Sequence, residues 1–139
     1  MQENEFMDLA KARIDRSLEL LNESKELLKN GSYKSANNRA YYSIEKAILA
    51  LLALAKIQTH THKGCLLQFN IYYVENDAYD FHTSDYKLAA KAEKIRNASD
   101  YDDFYIADKN ESSQQVKDAE YLYDKIKNYL NKVEENALM

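Results

Sequence analysis

The chain contains no proline and only two glycines, Gly31 and Gly64, in 139 residues. Proline and glycine are the residues that most often stop helices and build tight turns. A sheet-rich chain of this size needs many such turns. Their scarcity predicts an all-α fold: an up-and-down antiparallel bundle of about five helices. The length suits one domain with a core of its own, so residues 1–139 read as a single unit.

Hydrophobic spacing places the helices. The first is expected from about Asn4 to Lys29, with Phe6, Leu9, Ile14, Leu18, Leu21 and Leu28 on its apolar stripe and Lys11, Asp15, Glu19, Asn22 and Glu26 opposite. Asn30-Gly31 supplies a left-handed stop, and Ser32 is placed to cap a second helix from Tyr33 to about Lys56. That helix is apolar almost all round from Ala47 onward, which makes it the centre of the bundle. A shorter third helix is expected from about Lys63 to Glu75, with Leu66, Phe69, Ile71, Tyr73 and Val74 packing and Thr61 as its cap. Thr83 or Ser84 caps a fourth helix, with Leu88, Ala92, Ile95 and Ser99 inward. Ser112 or Ser113 caps the last, with Val116, Ala119, Tyr123, Ile126, Leu130 and Val133 inward. Faces of the second and fourth helices are expected to stay apolar and uncovered, a natural surface for self-association.

Charge and composition narrow the function. The formal net charge is −4, so no global positive field exists to hold DNA, and any contact with RNA needs a local cluster of cations. Cys65 is the sole cysteine, which excludes an intrachain disulfide and fits a reducing interior. The N-terminus is charged and the longest apolar run, Ala47 to Ala55, is too short for a bilayer. A cytoplasmic protein without membrane contact is expected. Twelve tyrosines and no tryptophan imply many half-buried rings with wet hydroxyls.

Three groups of residues could carry chemistry. Arg39, Tyr42, Ser43 and Lys46 are spaced to share a helix side. Arg39 lies one turn before the apolar half, where it calls for a carboxylate on a neighbouring helix or a phosphate. The stretch "KIRNASDYDDFY", Lys94 to Tyr105, holds Arg96 and Asp100 four apart and able to pair. Its acids fall at a helix C-terminus, which disfavours them. The chain is therefore expected to turn near Asp100 and fold Tyr101, Phe104 and Tyr105 back onto the bundle. His60, His62 and His82, with Cys65 nearby, form the only group resembling a metal set. No second cluster supports it, so no metal and no cofactor is expected.

Taken in order, "SANNRAYYSIEKAILALLALAK", "THKGCLLQFN" and "KIRNASDYDDFY" resemble the HEPN domain family over nearly the whole chain, in particular its small stand-alone prokaryotic members found beside minimal nucleotidyltransferases. The resemblance implies a helical bundle, a homodimer and, in many members, a metal-independent endoribonuclease. Such enzymes pair an Arg that holds the scissile phosphate with a polar residue and a His about four to six residues further on. Arg96 and Asn97 match the start of this motif. The positions of the His hold Tyr101, Asp102 and Asp103, and no His follows Arg96. A phenol, with an ordinary pKa near ~10, is a poor base at neutral pH. The resemblance then implies a homodimer that binds a nucleotide, RNA or a protein, with a nucleotidyltransferase in a toxin–antitoxin pair as the candidate protein partner. Arg39, Tyr42 and Asn97 would serve binding. The alternative is an endoribonuclease toxin with Arg96 on the phosphate and Tyr101 or Asp100 in place of the His.

Overall fold

In a computed structural model, which describes residues 3–138, the chain forms five α-helices and no strand among the described residues. They are α1 (Glu3–Lys29), α2 (Tyr33–Leu54), α3 (His62–Phe69), α4 (Thr83–Tyr101) and α5 (Lys109–Ala137), with a π-helical turn, Asn70–Val74, continuing α3. The all-α bundle expected from the missing proline is what the chain adopts.

The first stop works as the residue types dictate. Gly31 takes φ +79°, and the amides of Ser32 and Gly31 reach back to the carbonyls of Leu27 (2.9 Å) and Leu28 (3.1 Å). This satisfies two carbonyls that the helix end would leave open. Helix α2 then runs antiparallel to α1 and packs against α1, α3, α4 and α5. Ala47, Ile48, Ala50, Leu51 and Leu52 are fully buried, so the apolar run does surround itself with protein. A buried serine pair lets α1 and α2 approach closely: the Ser17 hydroxyl donates to the Ser43 carbonyl (2.7 Å) and the Ser43 hydroxyl to that of Ser17 (2.9 Å). Small side chains whose hydroxyls bond to the opposite backbone leave no polar group unpaired in that contact.

Helix starts depart from the expected caps at two places. Helix α4 begins under His82 rather than Thr83 or Ser84. The Asp85 carboxylate accepts the His82 amide (2.9 Å), so the acid three residues into the helix settles the start. Helix α5 begins under Asp108, whose carboxylate accepts the Glu111 amide (2.7 Å), and not under Ser112 or Ser113. Ser112 is buried and donates to the Tyr33 carbonyl (3.2 Å). An aspartate is at least as good a cap as a serine, and Ser112 has a better use tying α5 to the start of α2. The cap of α3 is Thr61, as expected, with its hydroxyl accepting the Gly64 amide (2.9 Å).

The uncovered apolar surface also lies elsewhere. Helix α2 keeps no large apolar side chain exposed. The exposed ones are Leu18 on α1, Leu67 and Ile71 on α3 and its π turn, Tyr121 and Leu138 at α5, and above all Tyr101, Phe104 and Ile106 around the α4–α5 loop. Leu18 and Ile71 were both expected inside. They lie at the margins of their stripes, and one helical position is enough to turn such a residue outward.

Candidate functional site

The site builds outward from Arg96 on α4. Ile95 and Arg96 both face the bundle, and Arg96 is only 4% exposed. Its guanidinium lies over three rings, with its carbon 5.2 Å from the centre of Tyr41, 5.6 Å from Tyr42 and 5.9 Å from Tyr101. A planar cation can stack on ring faces as an ammonium cannot, and the stacking offsets part of its lost hydration. Among the described residues its one ion pair is with Asp100, at 3.6 Å. Arg96 Nε has no hydrogen-bond partner among the described residues.

Asp100 is part of α4, not the point where the chain leaves it. The dipole objection is met by neutralising partners, Arg96 one turn earlier and the Asn38 amide on α2, which donates to Asp100 at 2.9 Å. Tyr101 and Phe104 do not fold back: they are 76% and 93% exposed. Tyr105 alone tucks inward and buries its hydroxyl. The expected aromatic anchor is therefore one ring.

The α2 group divides. Ser43 joins the α1 contact, while Arg39 stays on the surface. Arg39 binds Glu23 of α1 (3.2 Å) and the neighbouring Asn38 side chain. That is the carboxylate on an adjacent helix which its position called for. Arg39 and Asp100 line one shallow hollow of about 470 Å³ with Asn38 and Ser99. Tyr42 is half-buried against Arg96, and Asn97, next to Arg96 in sequence, is exposed. The structure thus gathers Arg96, Asp100, Tyr101 and Tyr42, holds Arg39 at the edge, and turns Asn97 outward.

Tertiary contact adds what spacing did not show. His62, the first residue of α3, packs edge-on against Tyr41 (5.5 Å) and Tyr42 (5.8 Å), so an imidazole flanks the same two rings as Arg96. Its Nδ1 is bonded to the Glu45 carboxylate, which also accepts the Tyr41 hydroxyl at 2.7 Å. Burial, followed by that hydrogen bond, pushes the Tyr41 phenol well above its ordinary range, so Tyr41 is a donor and not a base. The "THKG" turn and Glu45 were both visible in the sequence. A helix-period reading treats each helix alone and had no means of joining them.

Cys65 lies behind this group, and Glu45, His60, His62 and Cys65 line a groove of about 430 Å³. Among the described residues no three His, Cys, Asp or Glu side chains come together as a metal set. Burial, then the nearby Glu45 carboxylate, push the Cys65 thiol up to about 12. Alkylation of the native thiol at pH 8 is expected to be at least ~100-fold slower than in denaturant. A native rate within tenfold of the denatured one would show the thiol to be accessible and activated.

Comparison with known proteins agrees with the motif order. The chain matches the HEPN domain over residues 10–129. It is 30% identical over 125 residues to a Methanocaldococcus jannaschii protein named "Putative toxin MJ0605", covering 88% of this chain and 89% of that one. It is 26% identical over 126 residues to an Archaeoglobus fulgidus protein named "UPF0332 protein", covering 91% and 98%. No helix among the described residues is long and apolar enough to cross a membrane.

Proposed function

Because this chain belongs to the HEPN domain family, we propose that it is a toxin-like module that acts by binding: a homodimer that pairs with a second protein, for which a nucleotidyltransferase is the candidate, and that lacks conventional HEPN ribonuclease chemistry. One observation carries this reading. The motif arginine is buried beneath three rings and held by Asp100, where it offers no charge to a phosphate. The outer side of that centre is acidic, with Asp102 and Asp103 exposed, and phosphates are repelled there. The name of the M. jannaschii relative supports the toxin-like character.

A nucleotide or RNA would have to use Arg39, which stays on the surface, with the half-buried Tyr42 and the exposed Asn97. The endoribonuclease alternative rests on Tyr101 and Asp100 both lying against Arg96. Neither is an effective base in that place: Asp100 is already shared by Arg96 and Asn38, and a phenol is too weakly basic at neutral pH.

The test combines co-purification with an RNA assay. The protein is expected to co-purify stoichiometrically with a nucleotidyltransferase encoded beside it and to leave single-stranded and structured RNA intact. RNA cleavage that disappears in Arg96→Ala, with growth arrest relieved by the same change, would overturn the binding reading in favour of the enzyme.

A further inference from the structure

The end of the bundle opposite the Gly31 turn is hollow. The start of α1, the end of α2, the π turn and the end of α5 surround a space of about 480 Å³, with Phe6, Leu54, Tyr72, Tyr79, Tyr129 and Val133 in its wall. A mostly apolar recess of this size with a few polar groups is the usual form of a small-molecule site. Two departures from regular backbone shape it. The π turn carries the adjacent Tyr72 and Tyr73, whose ring centres lie 4.9 Å apart, so both rings join one cluster. Lys56 follows the wall residues Leu54 and Ala55 and takes φ +62°, a region that glycine enters freely and lysine does not. Widened helical turns and left-handed non-glycine residues concentrate where a protein does something besides fold.

The polar groups state what such a ligand must offer. The Tyr73 hydroxyl is satisfied, donating to the Leu51 carbonyl at 2.5 Å. The Tyr79 hydroxyl reaches that of Tyr72 only at 3.4 Å, well beyond the ~2.7–2.8 Å usual between hydroxyls. The protons of Tyr72 and Tyr129 meet no acceptor among the described residues. These phenols are donors at neutral pH: the bond with Tyr72, then burial, push Tyr79 up to about 12, and burial raises Tyr129. The charged groups at the rim are already engaged. Glu134 is paired with Lys11 at 2.7 Å, and the Lys56 ammonium lies 5.3 Å from the centre of the Phe6 ring.

We propose that this hollow binds a small, uncharged, planar aromatic molecule bearing a carbonyl oxygen, its ring against Tyr72 and Tyr129 and its oxygen accepting from their hydroxyls. Aromatic walls favour a flat ring through stacked and edge-on contacts. Phenol protons without a protein acceptor favour a ligand that brings one. Rim charges that are already engaged leave an ion without a counter-charge for its lost hydration. The site is separate from the Arg96 centre, which lines none of this hollow, and it does not depend on the partner proposed above.

Equilibrium dialysis of the protein against coumarin, a neutral aromatic lactone, tests the site. One molecule is expected per chain, with a Kd of roughly 100 μM or below. Naphthalene has the same fused rings without an acceptor, and coumarin-3-carboxylate adds a charge; both should bind more weakly. Tyr72→Phe and Tyr129→Phe each remove a single hydroxyl and keep the ring, so helicity should be unchanged. Each should weaken coumarin about three- to tenfold, the value of one hydrogen bond, and leave naphthalene unaffected. Val133→Trp should fill the hollow and abolish binding of both. Absence of coumarin binding at about 1 mM would overturn the site. Coumarin binding indifferent to all three substitutions would place the ligand elsewhere and overturn it equally. Naphthalene bound as tightly as coumarin, or the carboxylate bound more tightly, would overturn the assigned ligand class.

Discussion

Lys125→Met is expected to destabilise the fold by about 3–5 kcal/mol, the cost typical of stripping a buried charge of its partner. Asp85 is 1% exposed, and Lys125 donates to its Oδ2 at 2.7 Å. The same carboxylate accepts the Tyr121 hydroxyl (2.8 Å) and the His82 amide (2.9 Å), so it joins the first turn of α4 to α5. Methionine keeps an unbranched apolar stem and removes the ammonium, together with that ammonium's contacts with the Phe81 and Tyr121 rings. Adding Asp85→Asn removes the stranded charge while keeping an acceptor for His82 and Tyr121. The double variant should therefore regain more than half of the loss in a denaturant titration. A single-variant loss below ~1 kcal/mol, on the scale of a surface ion pair, would show the pair to be superficial.

The same pair fixes the sign of a pH effect. Burial alone raises the Asp85 pKa, but the bonds from Lys125, His82 and Tyr121 outweigh it and hold the carboxyl below its ordinary value. A depressed folded-state pKa contributes stability that is complete above the unfolded value, near ~4, and is lost as pH falls through the folded value. In Lys125→Met the balance tips back towards burial. The stability gap between wild type and variant should narrow as pH is lowered from 7 towards 4. A gap that widens on acidification would contradict the assignment.

Arg96→Ala is expected to cost about 2–4 kcal/mol, the sum of a desolvated cation–π contact and the cavity left beneath the rings. The midpoint of thermal unfolding should fall by roughly 5–15 °C for a chain of this size. Arg96→Lys should recover less than half, because an ammonium cannot lie flat over Tyr41 and Tyr42 and still reach Asp100. The direction separates two roles. An arginine retained to hold a phosphate strains the unliganded fold, and its removal is neutral or stabilising. An arginine that serves as the centre of a packed cluster is missed as soon as it is gone. An unchanged or raised midpoint in Arg96→Ala would therefore favour the phosphate role and count against the binding reading proposed for this protein.

Sequence alone determined the helical class, the order of the five helices, the Gly31 stop, the Thr61 cap and the central place of α2. It also determined the resemblance that led to the family. These follow from local rules: glycine's access to positive φ, the side-chain bond at a helix start, and a 3.6-residue period that marks which face is apolar. Tertiary structure alone decided the state of the candidate site. Arg96 is buried because α2 sets two tyrosines under it, and Asp100 stays helical because Asn38 reaches it from the same helix. His62 comes to Tyr41 and Tyr42 from α3, distant in sequence, and Phe104 stays outside because Tyr105 takes the inward place. Periodicity reports the polarity of a face but not the partner a polar side chain meets there. For a charged or aromatic residue it is the partner, supplied by another helix, that settles whether the group is buried, paired or presented to the outside.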